Sequence, residues 1–214
     1  MSKFCVALLA ASVLASCTTT MTKDGVEMPP EYIEAADAPK KTVIDVHEEK
    51  VGEVVEAVAF DRGPALLKDL EWLIAQRELA IPMIIDGLAE ADLRTRANLL
   101  YVLGFSRSPE TTRVLTDNMA SPDPIVRFEA AAGLLQHGDT TSVPVLVDFL
   151  ESDDQRLRYK AIEALRSGTG NDFSYSFSAP EEIRTVSVSK WRTWWQSEKQ
   201  RLMYRTWDGG GAPR

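Results

Sequence analysis

The sequence predicts an all-α chain of stacked helical hairpins, an α-α solenoid closed at its C-terminal end by a tryptophan-rich helix. Three observations predict it. A small residue recurs as Ala97, Ala130 and Ala161, at intervals of 33 and 31 residues. Each is preceded at a constant spacing by an arginine, Arg94, Arg127 and Arg158, and seven residues before by an acid, Glu90, Asp123 and Asp154. Each period holds two apolar-periodic segments, which marks a repeated two-helix unit rather than a single closed core.

The clearest copy lies in residues 121–139, where Pro124 to Gln136 reads as a helix ended near Gly138. The same reading gives Ile81 to Glu90 paired with Leu93 to Leu103 and ended by Gly104. Glu110 to Met119 precedes the central helix. Ser142 to Leu150 pairs with Gln155 to Arg166, ended by Gly168. Leu88, Met119 and Leu150 form a second register in the first helices. Pro82 and Pro144 fall in first turns, where a missing N–H does no harm. The glycines fit left-handed C-caps, and Ser121 with Asp123 and Ser152 with Asp154 fit loop and N-cap chemistry.

Before the repeats, Val43, Ile44 and Val46 are β-branched and suit a short extended segment. Val51, Val54, Val55 and Val58 then follow the i, i+3, i+4, i+7 pattern of a helix over 49–60. Pro64 opens a strongly apolar helix from Ala65 to Gln76, and these two helices form an atypical capping hairpin. After Gly168 the repeat breaks. Phe173, Tyr175 and Phe177 alternate with serines and would share one face if extended. Ser178 to Glu181 matches a capping box that announces a last helix, on which Trp191, Trp194 and Trp195 share a face. Charges thicken beyond Lys199, and residues 199–214 read as a charged tail with a glycine-rich end.

Charge and composition exclude some functions. The net charge of −8 offers no basic face for phosphates, so nucleic acid is excluded as the expected partner. The only histidines, His47 and His137, lie far apart and in no metal-ligand spacing. No P-loop, Gly-x-Ser-x-Gly or dinucleotide motif is present. His137 beside Gly138 reads as a helix C-terminal residue favoured by the dipole. Glu151 to Asp154 has three acids but lacks the longer loop of a calcium site, so a solvated loop with an N-cap is the preferred reading. No catalytic residue, metal or cofactor is therefore expected.

Cys5 and Cys17 are the only cysteines. A positive start at Lys3 and an apolar run from Phe4 to Ala15 read as a secretion signal, since about 20 residues would be needed to span a bilayer. The quartet Leu14-Ala15-Ser16-Cys17 resembles the lipobox of bacterial lipoproteins. That resemblance implies a signal over 1–16, lipidation at Cys17 and a membrane anchor in the cell envelope. Thr18, where an aspartate would imply inner-membrane retention, favours the outer membrane. An ordinary signal cut near Ala15 with an incidental cysteine is the other reading. Residues 17–42, rich in threonine, proline and charge, form a tether, and residues 43–198 the folded domain.

The pattern of acid, Val-Arg or Leu-Arg, and Ala-x-x-x-Leu over about 64–168 is similar to that of HEAT repeats, in particular the short bacterial PBS-lyase-type form. The resemblance implies a right-handed superhelix whose usual work is to hold other proteins along its second helices. It also implies pairing of Arg94, Arg127 and Arg158 with Glu90, Asp123 and Asp154; the first acid is Glu where the others are Asp. An anion-binding ladder of three arginines is the other reading of that series. Thr95, Asn98, Phe128, Glu129, Tyr159 and Glu163 are the exposed second-helix positions at which contact with an unknown protein partner is expected. The tryptophans read as closure of the last unit, with a stacking platform for cell-wall polysaccharide as the alternative. A lyase or assembly subunit of HEAT type is a further alternative, against which the export signal stands.

Overall fold

The structure is a computed structural model that describes residues 42–207. The secretion signal, the lipidation at Cys17, the tether through Lys41 and the glycine-rich end lie outside the described residues.

Among the described residues there are nine α-helices and no strand. They are α1 Val43–Phe60, α2 Gly63–Gln76, α3 Ile81–Glu90, α4 Leu93–Leu103, α5 Pro109–Asn118, α6 Pro124–Gln136, α7 Val143–Phe149, α8 Gln155–Thr169 and α9 Glu181–Trp207. Short 3-10 turns at Arg77–Leu79 and Thr140–Ser142 precede α3 and α7. All lie within one unit of the chain, Val43–Arg214.

Local chemistry explains where the helices begin. Proline stands in the first turn of α2, α3, α5, α6 and α7, where its fixed φ suits a helix and its missing N–H removes no intrahelical bond. Asp92, Ser108, Asp123 and Asp154 cap α4, α5, α6 and α8 by accepting hydrogen bonds from main-chain N–H groups. Ser121 and Ser152 in turn accept from the N–H of Asp123 and Asp154. Each cap satisfies donors that the helix itself leaves without partners.

The second helices form the spine: α2 packs on α4, α4 on α6 and α6 on α8, while each also packs on the first helix of its own hairpin. Ala97, Ala130 and Ala161 are buried in this row. At its centre the backbones nearly touch, since a Cβ built on Gly104 would stand 3.0 Å from the Cα of Gly133. The apolar interior runs as two clusters, one from Val51 to Leu134 and one from Phe128 to Trp191, with Met119 packed against both. Such a core, continued from unit to unit, is that of an α solenoid.

The structure differs from expectation at six places. Val43, Ile44 and Val46 form the first turns of α1 and are exposed; with no strand to pair with among the described residues, helix hydrogen bonds satisfy their backbone locally. Helices α5 and α7 differ from their expected spans by one residue at each end. Gly168 lies inside α8, which ends at Gly170 with φ +74°. A side chain at 168 would collide with Leu135, its Cβ falling 2.3 Å from that Cγ, so this glycine serves packing. Gly104 is not left-handed, with φ −59°, whereas Gly138 is, with φ +88°. Phe173 to Phe177 is a pair of turns, with Phe173 and Ser174 at positive φ. The alternation nevertheless holds: Tyr175 is buried and the two phenylalanines half-buried, between exposed serines. Finally, α9 passes through Lys199 to Trp207, so residues 199–207 are helix rather than tail.

Candidate functional site

The repeated arginines do not pair with the repeated acids, which corrects the expected ladder. Arg94 donates to the carbonyls of Ala59 and Asp61 at the end of α1. Arg127 donates to those of Ser121 and Pro122, both at 2.8 Å. Arg158 donates to Ser152 at 2.7 Å, Asp153 at 2.9 Å and, through Nε, Phe177 at 2.9 Å. Asp123 and Asp154 are engaged by the N–H groups of their own helices, which lie nearer than the guanidinium. Glu90 ends α3, and the capping place in that unit belongs to Asp92. Thr95 holds the Asp92 carboxyl below the usual value, its N–H donating to Oδ1 at 2.7 Å. Each arginine thus satisfies carbonyls that a loop leaves open, and none presents a bare row for anions.

Of the six expected contact positions on the second helices, three are inside. Thr95, Phe128 and Glu129 are buried, at 4, 3 and 7% exposure. Neighbouring helices cover them: Phe128 stands edge-on to Phe149 of α7, with ring centres 5.4 Å apart. Lys160 of α8 reaches across to Glu129 at 2.7 Å and lies 5.2 Å over the Phe128 ring. Asn98 is half-buried, while Tyr159 and Glu163 are exposed.

Four of the six nevertheless line one groove of about 350 Å3 across α4, α6 and α8: Phe128, Glu129, Tyr159 and Glu163. Its floor is Ala132, Gly133 and Ala164, and Tyr101 closes one side. Tyr101 and Tyr159 are 43 and 49% exposed, each braced edge-on by a phenylalanine, Phe105 and Phe177. Sequence reasoning missed Tyr101 and Lys160; the signal for Tyr101 was its place one turn after the aligned Ala97. Thr95 lines a different cleft, between α1, α3 and α4.

At the C-terminal end Trp191 is fully buried, edge-on to Phe173 at 4.8 Å and to Trp194 at 5.7 Å. Trp194 and Trp195 are half-buried against the same cluster. The Tyr175 hydroxyl donates to the Leu150 carbonyl. Arg192 pairs with Glu151 and Asp148, so α9 engages one acid of α7 and one just after it. The hydrogen bond that Arg192 donates to Glu151 is the main reason that its pKa lies above its ordinary value.

The remaining ionisable groups are scattered. His137 caps α6 and its burial pushes its pKa below the ordinary value, so at neutral pH it is an uncharged ring rather than a cation on the helix dipole. His47 lies beside Trp72, 6.2 Å between ring centres, on another hairpin. Burial, then a hydrogen bond with Asp61, raises the Asp69 carboxyl. Among the described residues no three His, Cys, Asp or Glu side chains stand close enough to hold a metal ion.

Residues 79–166 match the family model for HEAT repeats. No curated protein matches the chain.

Proposed function

We propose that this chain, whose residues 79–166 form a HEAT-repeat domain, is a non-enzymatic scaffold that holds a protein partner along the face of α4, α6 and α8. The supporting observation is the groove on that face. Two half-exposed tyrosines stand on either side of a floor of alanine and glycine. Small residues leave a trough, and rigid aromatics beside a trough are the side chains that most often anchor a protein contact. The ionisable groups there already serve each other, Lys160 with Glu129 and Arg166 with Glu163, which suits recognition better than proton transfer. The lipobox-like quartet ending at Cys17 supports anchoring by lipid in a bacterial envelope, on the periplasmic side of the outer membrane. No helix among the described residues is long and apolar enough to cross a membrane.

The test is co-purification from the envelope fraction with the full chain and two variants. Tyr101→Ala/Tyr159→Ala should lose the partner by about tenfold or more with an unchanged melting temperature. Cys17→Ser should release the chain to the soluble fraction. Retention of the partner by the double variant would refute the groove, and retention of Cys17→Ser on the membrane would refute the lipid anchor.

A further inference from the structure

We infer that the cleft between α1, α3 and the start of α4 is a second docking site, which takes a basic and apolar peptide segment of a protein partner. The cleft holds about 590 Å3, within the roughly 300–1,000 Å3 of ordinary ligand pockets. Its floor is apolar, with Val55, Ala59, Met83 and Leu99, and Phe60 stands at its lip 80% exposed. Gly87 sets how closely the walls approach, because a Cβ there would stand 2.7 Å from Cγ1 of Val55.

The rim supplies the charge. Glu56 of α1 and Asp86 and Glu90 of α3 line the cleft, all exposed, and its lining includes no basic side chain. Among the described residues none of the three has an ion-pair partner. The nearby Arg62 and Arg94 are turned to main-chain carbonyls between residues 59 and 61. Local stability does not account for these acids. Asp86 and Glu90 repel one another at i, i+4, and Glu90 sits at the negative end of the α3 dipole. A lysine or arginine between them would relieve both effects while apolar side chains covered the floor. An acidic peptide would meet three like charges, and a basic one without apolar groups would leave the floor wet.

The probe is a fluorescein-labelled peptide of leucine pairs alternating with lysines, titrated into the full chain by fluorescence anisotropy. Two control peptides carry glutamate for lysine and serine for leucine. Wild type should bind the probe saturably, and more weakly as salt rises. Glu56→Gln/Asp86→Asn/Glu90→Gln should weaken binding about tenfold, and so should Gly52→Leu, which fills the mouth of the cleft. A Cβ at Gly52 would meet nothing within 4 Å, and replacing a helical glycine favours the helix, so this variant is expected to keep its melting temperature. No saturable binding to wild type, or equal binding by either variant or either control peptide, would overturn the inference. Tyr101→Ala/Tyr159→Ala should bind as wild type. Loss in that variant alone would put the peptide in the groove of α4, α6 and α8, sinking the second site while leaving the proposed function standing.

Discussion

Truncation of Trp191 to alanine is expected to destabilise the chain by about 3–5 kcal/mol, the largest effect of any single substitution considered. The indole is fully buried, and Phe173 and Trp194 pack edge-on against it. Its removal opens a cavity between α9 and the loop after α8, beside Tyr175, Val188 and the other members of the second cluster. A solenoid's last unit has no following repeat to cover it, so this contact does the covering. Urea denaturation followed by circular dichroism should show the loss, and amide exchange should show α8 and α9 opening before α4. A midpoint within error of wild type would mean that Trp191 does not close the stack.

Second in size is Arg158→Met, expected to cost about 3 kcal/mol, because a buried guanidinium that donates to three carbonyls is replaced by a side chain that donates none. Arg158 is only 9% exposed, and its partners lie at 2.7–2.9 Å. One of them, Phe177, belongs to the aromatic loop, so the variant frees the loop that braces Tyr159. Arg127→Met, with two carbonyls in its own loop and a half-buried side chain, should cost about 1 kcal/mol. Thermal melts of the two variants provide the comparison. Equal losses would mean that the bond to Phe177 adds nothing.

Helix starts were legible because capping is local: an aspartate or serine before a helix finds the N–H groups a few residues on, whatever lies beyond. The partners of Arg94, Arg127 and Arg158 were not, since carbonyl and carboxylate competed for the same guanidinium and only the loop geometry decides. Gly168 and Gly170 look alike in sequence, yet only the nearness of Leu135 makes the first a packing residue. Thr95, Phe128 and Glu129 seemed outward on an isolated helix. The burial of Phe128 and Glu129 depends on α7 and α8 and on the Lys160 side chain, and Thr95 faces α1 and α3, none of which the helix's own period contains. The extension of α9 was hidden because the charges beyond Lys199 suit a solvated helix as well as a tail.

Amide hydrogen exchange on the full chain, with and without its co-purified partner, tests most directly whether the second-helix face is where recognition occurs. Partner binding should slow exchange in residues 95–103, 128–136 and 157–166 and leave the first helices, 109–118 and 143–149, unchanged. Slowed exchange confined to those first helices, with the groove of Tyr101 and Tyr159 unaffected, would contradict it.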